Sequence, residues 1–245
     1  MATIERVRSV RIAYDPRPPV LGAAVDALVE RNWARRVAEN PRLYDGGILL
    51  FRDVAVAGGV LTGVGVPVRY SVMAALLDLR PEGLPLVNLF GAAAPVTADG
   101  AILLGRMAGH TFEPGAVKFA AGTPDAEDVD AGAGIVDIDA SIVREFEEEV
   151  GLRAGEGTFD DGYLVGRDGP YLAIVRVLRL GADAASIAGR VGRFLAADPD
   201  PELAGIELVR RPDDPVLARA SVLVRPMVEA ILGEAADAPG CIGRT

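Results

Sequence analysis

The chain has 245 residues, half of them hydrophobic, with 25 Lys and Arg against 35 Asp and Glu and a single His and Cys. That length and apolar content suit one large domain or two small ones with a true core, and exclude intrinsic disorder. A formal net charge of -10 without any Lys/Arg run repels a phosphate backbone, which argues against nucleic acid as a partner.

A lone Cys241 forms no internal disulfide, and with His110 it makes no zinc site at a familiar spacing, so a reducing compartment is expected. The opening residues, Met1 to Arg8, lack the apolar stretch of a signal peptide. The uncharged stretch Val54 to Val68 is interrupted by four Gly and a Pro, too short and broken to span a bilayer. A cytoplasmic protein with no membrane partner is the expectation.

Leu21, Val25, Val29, Trp33 and Val37 recur at four-residue steps and predict an amphipathic helix from Val20 to Glu39, ended by Asn40-Pro41. Ile48 to Phe51, Val54 to Ala57 and Val60 to Val68 read as short strands, the last two divided by Gly58-Gly59. Tyr70 to Leu79 reads as a helix, and Pro81 to Pro85 as the best linker in the chain. Leu86 to Thr97 and Ala101 to Leu104 are expected strands flanking the turn dipeptide Asp99-Gly100. Gly105 to Asp137 reads as loop-rich, and Asp139 to Val150 as a helix closed by Gly151. Tyr163 to Val165 and Tyr171 to Leu180 flank a hairpin signal at Arg167-Asp168-Gly169. Ala184 to Ala197 reads as a helix, Ile206 to Val209 as a strand, and Val216 to Leu232 as a helix kinked or delayed by Pro226. Strands and helices that interleave with hairpins favour a mixed α/β sandwich.

The segment that carries chemistry is Arg144-Glu145-Phe146-Glu147-Glu148-Glu149-Val150-Gly151-Leu152. On a helix, Ile142, Val143, Phe146 and Val150 fall within an arc of about 100° and form the buried face. Glu145, Glu148 and Glu149 share a second stripe, roughly 120° away. Like charges at these spacings destabilise a helix by some tenths of a kcal/mol per pair, unless a cation sits between them. All-oxygen ligation suits Mg²⁺ or Mn²⁺. Arg144, four residues before Glu148, can brace that carboxylate.

An acidic run on a helix is usually a solvated face. Here the flanking residues decide otherwise: the segment fits Arg-Glu-U-x-Glu-Glu-x-Gly-U, U being apolar, at odds on the order of one in 10⁵ by chance. This resembles the second half of the Nudix box. Leu103 to Arg106, Pro114-Gly115 and Gly122 resemble the text that precedes it in that family. The strict spacing Gly-x5-Glu-x7 would require Gly at Asp130 and Glu at Val136, so the first half departs from the pattern. With Gly122 as the box glycine, Asp128 takes the acidic place at the correct offset and eight extra residues precede Arg144, an insertion that costs a surface loop little entropy.

The resemblance implies an α/β/α sandwich around a mixed sheet and Mg²⁺-dependent hydrolysis of a nucleoside diphosphate linked to another moiety. By match to the motif, Glu148 and Glu149 would be metal ligands, Glu145 a further ligand or the water-activating base, and Arg144 the orienting residue. Glu202 and Glu207 are further candidates for the base. Lys118, the only lysine, lies four residues before Gly122, where a cation could meet a substrate phosphate. His110 reads as a loop residue, and Trp33 as core.

The expected organisation is an N-terminal α+β subdomain over 1–85, a Nudix-like domain over 86–235 and a flexible tail over 236–245. Asn40 to Gly46 is weakly similar to the lead segment of Nudix proteins that cleave UDP-sugars, a hint toward sugar nucleotides. The alternative function is a Nudix-fold sensor that binds a nucleotide without turning it over. Homodimers are common in that family.

Overall fold

The computed structural model describes residues 2–237, so Cys241 and the expected tail beyond Asp237 lie outside the described residues. In chain order the elements are β1 (Thr3–Val7), β2 (Ser9–Tyr14), α1 (Ala23–Glu39), β3 (Gly47–Ala57), β4 (Val60–Arg69), α2 (Tyr70–Leu79), β5 (Asn88–Val96), β6 (Ile102–Met107), β7 (Val117–Lys118), β8 (Ala120–Gly122), β9 (Val129–Asp130) and β10 (Ile135–Val136). They continue with α3 (Ile138–Val150), β11 (Gly157–Phe159), β12 (Tyr163–Asp168), β13 (Tyr171–Leu180), α4 (Ala184–Ala197), β14 (Leu203–Val209) and α5 (Val224–Asp237).

The larger sheet runs β1-β12-β13-β5-β6-β14, with β11 on β13, β8 on β5 and β7 on β6. It is mixed, since β13 and β5 are parallel and the other pairs antiparallel. Ile142 and Phe146 of α3, with Ile187 and Val191 of α4, bury against Leu89, Ile174 and Leu178 on one face. Met227, Val228 and Ile231 of α5 pack with Ala92, Ala94 and Val175 on the other. The chain is therefore an α/β/α sandwich around a mixed sheet. No helix among the described residues is long and apolar enough to cross a membrane.

A second sheet runs β3-β4-β2-β10-β9. Val25 and Val29 of α1 and Val72 and Leu76 of α2 bury against its Leu50 and Val66, while Phe51, Leu61 and Ile12 join the α3 core. The two sheets do not separate at residue 85. The β1 strand pairs with β12 in the large sheet, and β10, from beyond the linker, pairs with β2 in the small one.

The inserted residues of the box thus have a structure of their own. They form the β9–β10 hairpin that extends the N-terminal sheet, with Val136 opposite Ile12.

Several expectations shift in detail. The two strands expected over Ile48 to Ala57 are one strand with a bulge between Arg52 and Ala55, where Asp53 has φ 53°. The stretch Gly105 to Asp137 holds β7 to β10, strands of two or three residues that exist only through their partners. Pro226 delays the last helix: a 3₁₀ turn occupies Pro215–Arg219, and α5 begins at Val224, so Pro226 falls in the first turn, where no N–H is needed. Trp33 is half-buried, edge-on to Tyr70 at 6.1 Å, and Asn32 is the buried neighbour.

The site is prepared by a divergence in the large sheet. The β5 and β6 strands pair only at Val96↔Ile102 and then part. The chain enters the resulting V along β6, turns at Phe119 and leaves along β5, which sets Lys118 opposite Gly105 and Gly122 opposite Gly91.

Candidate functional site

Helix α3 forms where its sequence says it should. Asp137 caps its N-terminus by accepting the Ala140 N–H, and Gly151 ends it at φ 69°. Ile142, Phe146 and Val150 are fully buried, and this fixes the helix rotation. Gly91 lets α3 approach β5, since a Cβ there would lie 2.6 Å from Ile142. Glu145 and Glu149 are thereby turned toward β8, and the Glu145 carboxylate lies over Gly122, where a Cβ would sit 2.0 Å from Cδ.

These carboxylates border two adjoining hollows. The larger, about 470 Å³, has Lys118, Gly122, Glu145, Glu149 and Glu202 at one part of its wall and Asn88, Phe90, Met73, Tyr70 and Tyr171 elsewhere. The smaller, about 260 Å³, is lined by Glu145, Glu148, Glu149, Asp198, Asp200 and Glu202, with Phe194, Leu195 and Pro201. Among the described residues, no Lys, Arg or His lines the smaller hollow. The structure therefore brings Lys118, Gly122, Glu145 and Glu149 to one cavity, and Glu148 to its neighbour.

Burial pushes the Glu149 carboxyl up to about 8, with the charges of Glu202 and Glu145 adding to it against Lys118 and the Ala121 N–H. Glu145 is raised to about 7, again by burial first; Arg144 opposes this, and Glu148, Glu202 and Asp128 reinforce it. Two partly buried carboxyls with raised pKa values side by side are an acidic site short of positive charge. An all-oxygen donor set of this kind matches a hard divalent cation. Among the described residues, no three His, Cys, Asp or Glu side chains converge at ligand spacing as they stand.

Arg144 is the brace. It meets Glu145 at 2.8 Å, Glu148 at 3.4 Å and Asp128 at 3.0 Å. Burial works against its charge, but the Asp128 hydrogen bond and the Glu145 charge outweigh that and hold its pKa above the usual value. Asp128 is 3% exposed; it receives Arg144 through both Nε and Nη2 and also accepts the Asp125 N–H. This is the acidic position at the Gly122 offset, set behind the site as the anchor of Arg144.

Lys118 pairs with Glu113 at 2.5 Å on the cavity wall. Of the two expected alternatives for the base, Glu202 lines both hollows, whereas Glu207 is taken by Arg106 and Arg219 at 3.4 and 3.2 Å and lines neither. His110 also lines the cavity, with Nδ1 3.8 Å from Asp200 and its carbonyl accepting the Asn40 amide at 2.9 Å. Glu147 turns away from the stripe to Arg153 and the Ala154 N–H.

Sequence reasoning pointed to Asn40 to Gly46 but missed Ile48 and Tyr70. All of Arg42, Leu43, Tyr44, Ile48 and Tyr70 stand in the cavity wall, and Arg42 pairs with Asp200. It missed Asn88 as well, although a lone amide inside the apolar run Leu86 to Thr97 was a visible signal. The acidic run Asp198-Pro199-Asp200-Pro201-Glu202 was the corresponding signal for the smaller hollow.

No family model matches the chain, and no curated protein does. Solved structures similar to it include a Nudix hydrolase, RenU, from Mycobacterium smegmatis, at 15% identity over 64% of this chain and 88% of that one, with a TM-score of 0.39. The NUDIX domain of NrtR from Shewanella oneidensis, complexed with ADP ribose, matches at 13% over 66% and 96%, TM-score 0.41. A bifunctional NMN adenylyltransferase/ADP ribose pyrophosphatase from Francisella tularensis, complexed with AMP and a Mn ion, matches at 14% over 64% and 44%, TM-score 0.41. What places this chain in its fold class is its own strand order and layering.

Proposed function

We propose that the chain is a divalent-cation-dependent hydrolase of Nudix type, which cleaves the phosphoric anhydride of a nucleoside diphosphate linked to a further group. The observation that carries this reading is the pair of partly buried carboxyls, Glu145 and Glu149, presented by the Arg-Glu-Phe-Glu-Glu-Glu helix to a cavity large enough for a nucleotide. Asn40 to Gly46, the segment with the hint toward sugar nucleotides, supplies Arg42, Leu43 and Tyr44 to the wall of that cavity.

A pyrophosphate resists attack because its own charge repels the nucleophile, so a catalyst must neutralise its oxygens and place a water in line with the leaving group. Glu145, Glu148 and Glu149 would hold Mg²⁺ or Mn²⁺. When bound, the ion supplies charge neutralisation and a lowered pKa for water. The chain's own residues do the rest. Gly122 gives the Glu145 carboxylate its place on β8, and Arg144, held by Asp128, fixes that carboxylate from behind. Lys118 offers a positive charge to the phosphate once it exchanges Glu113 for substrate. The attacking water gives its proton to a carboxylate as its oxygen bonds phosphorus and the P–O–P bond breaks. Glu202 suits that part, since it faces the Glu145 and Glu149 pair from the loop before β14, whereas Glu145 is already bound to Arg144 at 2.8 Å.

Incubation with a panel of nucleoside diphosphate derivatives, with Mg²⁺, Mn²⁺ or EDTA, tests this by chromatography of the phosphate-ester products. The expected result is metal-dependent cleavage that Glu149→Gln abolishes. Saturable nucleotide binding with no turnover of any compound would replace the hydrolase with the sensor.

A further inference from the structure

The cavity has a polar group that the hydrolytic chemistry does not use. Asn88 opens β5 and is 6% exposed, in a run that is otherwise apolar. Its backbone N–H is taken by the Pro170 carbonyl at 2.8 Å, and its side-chain Oδ1 accepts the Thr123 hydroxyl at 3.1 Å. An amide has two donors and two acceptor sites. Thr123 uses one of these, and the residue lines the cavity. Because a hydroxyl can serve either end of an amide, either placement leaves at least one donor and one acceptor free. Among the described residues the Asn88 amide is not a buried group without a partner, so its free edge is open to the cavity, where a ligand can take the place of water.

The surroundings say which kind. Phe90, Tyr171, Tyr70 and Met73 line the same cavity, a set of flat and polarisable surfaces that suits a planar ring. Asn88 lies three residues along β5 from Gly91, which pairs with Gly122, the residue under the Glu145 carboxylate. The backbone positions are about 10 Å apart at strand rise and face opposite sides of β5, and what joins them is the cavity, which Asn88 and Glu145 both line, with a span that suits a nucleoside between its base edge and its phosphates.

We infer that Asn88, steadied by Thr123, is the specificity-determining residue of this cavity and reads the hydrogen-bonding edge of a nucleobase, a donor beside an acceptor. The inference rests on the nucleotide reading above and adds to it the orientation of the substrate: base toward the start of β5, diphosphate toward α3.

The test is binding in EDTA, which needs no turnover. Calorimetry with AMP, GMP, CMP, UMP and ribose 5-phosphate compares the wild type with Asn88→Leu and Asn88→Asp. The wild type should bind at least one nucleotide about 10-fold or more tighter than ribose 5-phosphate, and Asn88→Leu should reduce that preference to within about 3-fold and flatten the ranking of bases. Asn88→Asp, which replaces the donor by a second acceptor at nearly the same volume, should move the ranking toward GMP, whose edge carries two adjacent donors. It decides the matter should the leucine variant fail to fold. An unchanged ranking in both variants, or a wild type that does not distinguish nucleotides from ribose 5-phosphate, overturns the inference. Base ranking that depends on Asn88 without turnover of any anhydride leaves the inference standing and removes the hydrolase; turnover indifferent to the base and to Asn88 does the reverse.

Discussion

Gly122→Ala isolates the placement of Glu145 from the stability of the fold. The Cβ added at Gly122 would lie 2.0 Å from Glu145 Cδ, 2.2 Å from Oε1 and 2.5 Å from Oε2. Ordinary contact begins at 3.4 Å, so the carboxylate must retreat by about 1.4 Å. The φ of Gly122 lies outside the left-handed region, so alanine brings no backbone strain, and it removes some freedom from the unfolded chain. What the variant loses in stability is the Arg144–Glu145 contact, about 1 kcal/mol or less for a pair that is partly exposed, or roughly 2–4 °C in Tm. A displacement of about 1 Å at a reacting group costs on the order of 10²-fold in rate. The expected phenotype is therefore a near-normal melting curve with kcat/KM down about 10²-fold. Gly91→Ala is the contrasting variant: its Cβ would meet Ile142 Cγ1 at 2.6 Å inside the core, so Tm should fall with a cost of about 1–3 kcal/mol, unlike the near-normal melting of Gly122→Ala. Differential scanning fluorimetry and initial rates on the same preparations read both quantities. Full activity in Gly122→Ala at wild-type Tm would refute the assignment of Glu145 to the reacting centre.

Three further outcomes follow from the same geometry. Asp128→Asn leaves Arg144 without its buried partner and should cost about 2–4 kcal/mol in chemical denaturation, less than a fully buried pair because Arg144 is a quarter exposed. Mg²⁺ at about 100 times its Kd should stabilise the folded protein by about 2.7 kcal/mol, read as a rise in Tm that Glu149→Gln abolishes. Burial pushes the Asp78 carboxyl up, but the hydrogen bonds from Arg36 and Asn32 and the charges of Arg36 and Arg35 outweigh it and hold it below its usual value. A depressed acid stabilises above its unfolded pKa, and that contribution is lost as pH falls through the folded value, so α1 and α2 should lose amide-exchange protection below about pH 4. Asp78→Asn should remove most of that pH dependence.

The grouping of the candidate carboxylates was legible because they lie on one helix. Glu145, Glu148 and Glu149 share a stripe by spacing alone, and the buried face Ile142, Phe146 and Val150 fixes which way that stripe turns. The α/β/α layering was legible for a similar reason, since each long helix and strand carries its own periodicity. The two-residue strands β7, β9 and β10 are specified by partners elsewhere in the chain, so no local pattern announces them. The wall of the cavity was hidden by the same distance: Tyr70 and Arg42 read as helix start and loop, and only the docking of the small sheet brings them to Glu145 and Glu149.

The broken first half of the box joins these two halves of the molecule. Asp128 holds Arg144 from a buried place. The residues inserted after it leave as β9, return as β10 and pair with β2, so the loop that breaks the motif extends the N-terminal sheet. Asp137 is reached directly from that hairpin and caps α3, with its own N–H bound to the Asp128 carbonyl at 2.7 Å. The start of α3 and the edge of the N-terminal sheet are thus joined by one continuous segment, Asp128 to Asp137. A shorter spacer would lose this link between the sheet whose β4 runs into Tyr70 and the helix that carries Glu145 and Glu149. The long spacing between Asp128 and Arg144 is what gives the N-terminal sheet its β9–β10 edge beside the start of α3.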